Sequence, residues 1–178
     1  MTNENKVIND KDAVPTLEQS KRQIERYNLD VDAQAVLVAS RLMAAGAKLG
    51  HAAEIHFSRF GLSTGRYRLL ADLEDNEGEV LPSQLAEHLD VTRATVTGLI
   101  DILERDGLVS RRLSSVDGRQ KAVILTELGR NKLRDMAQDH FARLETMVSS
   151  LSIEERAVFL NLLGRITQGI PALTDETR

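Results

Sequence analysis

From Asp30 to Phe60 apolar side chains return every three or four residues, at Val31, Ala35, Val38, Leu42, Ala45, Leu49, Ala52 and Ile55. On a 3.6-residue helix that spacing draws one continuous stripe, so the pattern predicts a long helix, stopped by Gly61 as its C′ residue. Ser63 then caps a helix that turns Tyr67, Leu69, Leu70 and Leu73 inward, and Glu77-Gly78 breaks it. Pro82 fits the first turn of a short helix with Leu85, Ala86 and Leu89 inward, ending near Leu89, because its missing N–H costs nothing there. After a turn through Asp90 and Val91, Thr92 caps a helix to Asp106 that buries Val96, Leu99, Ile100 and Leu103 and stops at Gly107.

The period then changes. Leu108 to Leu113 and Gln120 to Leu125 are β-compatible runs around Ser114-Ser115-Val116-Asp117-Gly118, whose Asp-Gly pair signals a hairpin. A two-stranded wing is therefore expected behind two short helices. Thr126 caps a long helix through Leu128, Leu133, Met136, Leu144 and Val148, and Ser152 with Glu155 forms a capping box for a last helix to Ile170, with Pro171 marking its end. Up to about Tyr27 the chain is polar, with at most one short amphipathic turn around Leu17 to Ile24.

The expected fold is mainly α with a small β-hairpin: six helices in a winged helix-turn-helix arrangement. The expected division is a polar N-terminal arm at 1–28, helical segments at 29–60 and 127–170, a reading region at 61–126 and a tail at 171–178. Dimerisation has its own reason, since Phe159, Leu160, Leu162, Leu163 and Ile166 give the terminal helix more apolar surface than one small domain covers.

Composition narrows the chemistry. The 178 residues contain no Cys, which removes disulfides, thiolate metal sites and cysteine nucleophiles. Aromatic residues make up only 3%, so the core must be aliphatic. Met1 to Asp12 carries no signal-like apolar run and no stretch is long enough for a membrane span, so a cytoplasmic protein without membrane contact is expected. The net charge of −4 does not advertise a nucleic-acid binder, but charge is unevenly placed. Between Val91 and Lys121 six basic residues (Arg93, Arg105, Arg111, Arg112, Arg119, Lys121) face four acidic ones (Asp101, Glu104, Asp106, Asp117).

A helix, a tight turn and a second helix fit the motif whose second helix enters the major groove by its amino end. Here that end carries Thr92, Arg93, Ala94, Thr95 and Thr97, outward because Val96, Leu99, Ile100 and Leu103 take the inward positions. Arg93 suits a bidentate bond to guanine O6 and N7, while Thr and Ala methyls suit thymine. Ser83, at the start of the preceding helix, joins the candidate contacts. In the wing, Arg111, Arg112, Arg119 and Lys121 make a basic finger, with Arg119 assigned to the minor groove and Asp117 to holding its guanidinium.

Thr92-Arg93-Ala94-Thr95-Val96-Thr97, Leu103-Glu104-Arg105-Asp106-Gly107-Leu108-Val109, Asp117-Gly118-Arg119 and Leu125-Thr126-Glu127-Leu128-Gly129, in this order, resemble the signature of the MarR family. The resemblance spans about Leu29 to Ile170 and is densest from Leu81 to Gly129. It implies a homodimeric transcriptional repressor, paired through the helical segments 29–60 and 127–170, that binds double-stranded palindromic operators and releases them when a small aromatic or phenolic effector enters. By the same resemblance His51, Ile55, Arg66 and Leu69 are the effector-lining candidates, where Arg66 could pair with an aromatic acid, although a surface ion pair suits it better. Two positions depart from the pattern: Asp90 stands where Gly is frequent, and Gly98 where a basic residue commonly faces phosphate.

A winged-helix protein-interaction module without DNA binding is the alternative, suggested by the net acidity and by Gly98. No cofactor is expected. His51 and His56, five residues apart, do not share a helix face, and Glu54 mends that geometry only partly. His88 and His140 are isolated, Ser63 and Ser83 lack a nucleophile-elbow context, and no Gly-rich phosphate loop opens a helix, so no catalytic constellation is proposed and no enzyme is expected.

Overall fold

The computed structural model describes residues 15–76, 78–114 and 119–174. Its element order is α1 (Leu17–Arg26), α2 (Ala33–Ser58), α3 (Thr64–Asp75), β1 (Glu79–Val80), α4 (Pro82–Leu89), α5 (Arg93–Arg105), β2 (Val109–Leu113), β3 (Lys121–Leu125), α6 (Glu127–Met147) and α7 (Ile153–Thr167), followed by a 3-10 turn at Ile170–Leu173. The chain divides into two compact units, with the division inside α3 between Tyr67 and Arg68.

In the first unit the expected polar arm contains a full helix, a seventh beyond the six expected. Thr16 and Gln19 form a capping box: the Gln19 N–H donates to Thr16 Oγ1 at 3.3 Å and the Thr16 N–H to Gln19 Oε1 at 2.8 Å. α1 ends in a left-handed Asn28 (φ 50°), with Leu29 N–H donating to Ile24 O at 3.1 Å. The arm is fastened to α2 where Arg41 Nε donates to the Pro15 carbonyl at 3.0 Å.

Asp32 caps α2, and the helix closes as expected through Gly61 (φ 70°). The apolar stripe is present along α2 but is not a buried face: Val38 and Ile55 are 51% and 55% exposed, and Leu49 is similar. A helix that leaves its apolar side in water has a partner surface still to meet.

The second unit holds the main core. Leu69, Leu70, Leu85, Val96, Ile100 and Leu103 from three successive helices are fully buried, against Val80, Val109, Val123 and Leu125 of the sheet. The expected two-stranded wing has a third strand, in the order β1-β3-β2, with both pairings antiparallel. β1 is only two residues long, Glu79 opposite Ile124 and Val80 opposite Val123, too short to leave an alternating signal.

The turn between α4 and α5 depends on Asp90, which sits in the left-handed region at φ 54°, ψ 53° while Val91 N–H donates to Ala86 O at 3.0 Å. An Asp tolerates this conformation at a cost that glycine avoids. Asp90→Gly is therefore expected to raise stability by about 0.5–1 kcal/mol. An unchanged or lower urea midpoint would contradict the strain assigned to this turn. α3 braces the same turn: Arg68 Nη2 donates to Leu89 O at 3.0 Å, and His88 Nδ1 lies 3.0 Å from Asp72 Oδ1.

Past α5, Gly107 (φ 73°) reverses the chain and Leu108 N–H donates to Leu103 O at 2.9 Å, delivering β2 straight from the end of α5. α6 begins hard against that reversal. Thr126 Oγ1 donates toward Gly107 O (2.7 Å) and Leu108 O (3.0 Å) and accepts from Gly129 N–H at 3.1 Å.

α7 carries the expected Ser152–Glu155 capping box, yet none of its 15 residues is buried. Leu160 is 68% exposed, and Ile153, Val158, Phe159 and Leu162 are exposed with it. Pro171 does not end regular structure, since the 3-10 turn runs through it to Leu173. Glu77, the Ser115–Gly118 wing tip with its Asp-Gly signal, the first half of the arm and the end of the tail lie outside the described residues.

Candidate nucleic-acid interface

The amino end of α5 has the outward arrangement its periodicity predicts. Val96, Ile100 and Leu103 are fully buried, Leu99 is half-buried, and Thr92, Arg93, Ala94, Thr95 and Thr97 are exposed. Thr92 is the N-cap, accepting from Thr95 N–H at 3.1 Å, and the two hydroxyls lie 2.8 Å apart. Thr97 donates its hydroxyl to the Arg93 carbonyl at 2.9 Å, which commits its proton to the helix and leaves its methyl and lone pairs for a neighbour. Arg93 makes no ion pair among the described residues, so its guanidinium is available outward. Ser83 is exposed in the first turn of α4.

The wing arginines separate into two kinds. Arg111 Nη2 lies 2.5 Å from Asp101 Oδ1, its Nη1 donates to Glu104 Oε2, and its backbone N–H donates to Glu104 Oε1 at 3.1 Å. Burial works against its charge, but the hydrogen bonds to Asp101 and Glu104 more than offset that, so Arg111 holds its proton more firmly than an ordinary arginine. Arg112 Nε donates to Glu79 Oε2 at 3.2 Å, and Ser114 Oγ donates to Glu79 Oε1 at 3.0 Å. The sequence offers all four wing cations to DNA; the structure has Arg111 and Arg112 engaged with carboxylates of α5 and β1. Lys121 and Arg119 are both exposed, and Lys121 makes no ion pair among the described residues. Asp117 lies outside the described residues.

The effector candidates are spread unevenly. His51 and Ile55 are exposed on α2, and Arg66 is half-buried with its Nε 3.4 Å from Ser63 Oγ. Leu69 has no exposed surface, so a ligand reaches it only if the packing around it opens. Glu54, weighed as a ligand beside His51 and His56, caps α3 instead: its Oε2 accepts from Thr64 N–H (2.9 Å) and Thr64 Oγ1 (2.8 Å). The Thr64 backbone bond, its hydroxyl and Arg66 hold the carboxyl below its usual value against a small opposing effect of burial. This cap is present above the ordinary glutamate range and is lost as pH falls through the depressed value.

Sequence analysis missed the cluster of rings at this junction. Phe57 stacks on Tyr67 with centroids 4.1 Å apart, and His56 meets Phe57 and Phe60 edge-on at 5.0 and 5.5 Å. The signal was present, because three of the chain's six Phe and Tyr residues fall between positions 57 and 67.

A sequence profile described as "MarR family" matches residues 60–120, the segment from the end of α2 to the wing. The HTH-type transcriptional repressor YetL of Bacillus subtilis is 33% identical over 147 residues, covering 82% of this chain and 88% of that protein. The HTH-type transcriptional regulator PecS of Dickeya dadantii is 27% identical, covering 77% of this chain and 84% of its own. Among solved structures, S. aureus MepR in its DNA complex superposes with a TM-score of 0.67 at 21% identity, over 74% of this chain and 95% of that one. PcaV of Streptomyces coelicolor, with its natural ligand, gives 0.63 at 21% identity, over 78% and 96%. An outward threonine-rich helix end beside an antiparallel wing, and a relative of this similarity along most of both chains, lead to one conclusion: the chain belongs to the MarR family of winged helix-turn-helix transcriptional regulators.

Proposed function

We propose that the chain is a ligand-responsive repressor that binds a palindromic operator as a homodimer, each copy laying the amino end of α5 in the major groove and the β2–β3 wing along the adjacent minor groove. The observation that carries this reading is the sidedness of α5: three fully buried aliphatic residues on one face, and Thr92, Arg93, Ala94, Thr95 and Thr97 in solvent at the other. Such a surface has little to offer a purely apolar partner but matches base edges and methyl groups. Arg119 and Lys121, with Ser83, supply the phosphate and minor-groove contacts.

Dimerisation runs through 29–60 and 127–170. It is supported by α7, which buries nothing of its own, and by Phe141, Leu144 and Met147, exposed on α6. A small aromatic or phenolic ligand at His51, Ile55 and Arg66 would shift the reading heads away from operator spacing. The names of YetL, a repressor, and of the MepR complex with DNA agree with this assignment.

Arg93→Ala is expected to cost about 1–3 kcal/mol of binding and to relax base preference at one position in each half-site. Arg119→Ala is expected to weaken binding to all sequences and to flatten the salt slope by about 1. Titration of duplexes varied one base pair at a time, at several salt concentrations, separates the two. Equal affinity of both variants and the wild type would overturn the assignment.

A further inference from the structure

On one face of the sheet, Arg111 stands where β2 passes from the buried Val109 to the exposed Leu113. In register it lies opposite Val123, on the sheet face that carries the buried Val80, Val109 and Leu125. One row further out on β2, Leu113 is 66% exposed opposite an exposed Lys121. On this face a tether at the boundary ties β2 directly to α5.

The tether has three strands: the guanidinium to Asp101, the guanidinium to Glu104, and the Arg111 backbone N–H to Glu104. Asp101 and Glu104 are three apart on α5 and so occupy one side of it, where a planar fork reaches both and an ammonium does not. The Arg111 side chain is only 23% exposed. On the opposite sheet face Arg112 and Ser114 hold Glu79 of β1, so the base of the wing is braced on both sides. Asp101 also follows Ala94 and Thr97 along the reading side of α5, at i+7 and i+4. An unneutralised carboxylate there would repel phosphate.

We propose that Arg111 is a positioning residue: by bridging Asp101 and Glu104 it fixes the angle between the recognition helix and the wing, and it does not itself touch DNA. The inference rests on the DNA-binding reading above. It reverses the role that the basic pattern of the sequence suggests for this arginine.

The test uses the full chain and the duplex that the wild type enriches from a random-sequence library. Arg111→Lys keeps the charge and loses the fork, while Asp101→Asn with Glu104→Gln removes two negative charges from α5 and releases Arg111. Both are expected to weaken binding about tenfold. Guanine N7 protection by α5 should persist in both while hydroxyl-radical protection of the flanking minor groove fades, a split that general unfolding would not give. Arg111→Ala should leave the salt slope unchanged, whereas loss of a phosphate contact would reduce it by about 0.9. Tighter binding by the double variant, wild-type binding by Arg111→Lys, or a flattened slope would overturn the proposal. If the wild type enriches no duplex, it is the DNA-binding reading that fails.

Discussion

Gly129→Ala is expected to lower the stability of the chain by about 2–3 kcal/mol, because no space exists for one more carbon. A Cβ at Gly129 would lie 2.2 Å from the Leu108 carbonyl oxygen, 2.6 Å from Leu125 Cδ1 and 3.2 Å from the Leu108 carbonyl carbon. The leucine methyl can rotate away. The carbonyl cannot, since it accepts the Thr126 N–H at 3.1 Å and the Thr126 hydroxyl at 3.0 Å. The first turn of α6 must therefore move off the junction between α5 and β2, and the wing base moves with it. Urea unfolding checks this through a lowered midpoint at constant slope. A midpoint equal to that of the wild type would mean that α6 does not approach Leu108 this closely.

Leu160→Glu is expected to leave a folded subunit that no longer pairs and that binds a two-half-site duplex about 10²–10⁴-fold more weakly. Leu160 is 68% exposed on a helix with no buried residue, so the fold of one chain gains little from it. A carboxylate at the centre of an apolar contact between two copies would lose its water without a partner. Sedimentation velocity separates the two roles. If α7 served only the single chain, an exposed substitution would alter stability by no more than about 0.5 kcal/mol and leave assembly untouched.

In α4 and α5 the apolar period was legible in the sequence and its side chains meet a core. α4 and α5 fall where Leu85, Leu89, Val96, Ile100 and Leu103 placed them, and each is fully or nearly fully buried. The caps at Thr92, Thr126 and Ser152 were readable because each is a local contest between a side chain and the first free N–H groups. The same chemistry at Thr16-Leu17-Glu18-Gln19 announces α1, but its polar composition obscured the box. The two-residue β1 has no period to detect, and pairing with β3 across more than forty residues is a tertiary event.

Periodicity alone does not tell what the α2 stripe packs against. A 3.6-residue repeat tells which residues share a side, not whether that side meets its own chain or another. At the wing, charge counting identified the basic residues but not their partners. Asp101 and Glu104 are ten and seven residues from Arg111, and only the reversal at Gly107 brings them to it.

The most direct test is to select duplexes with the wild-type chain from a random library and to weigh the resulting complex. Two copies of α5 reading successive major grooves predict an inverted repeat with half-site centres about 10–11 base pairs apart, two chains per duplex, and affinity that falls steeply with salt. One chain per duplex, or a dimer that enriches no sequence at low salt, would contradict the account.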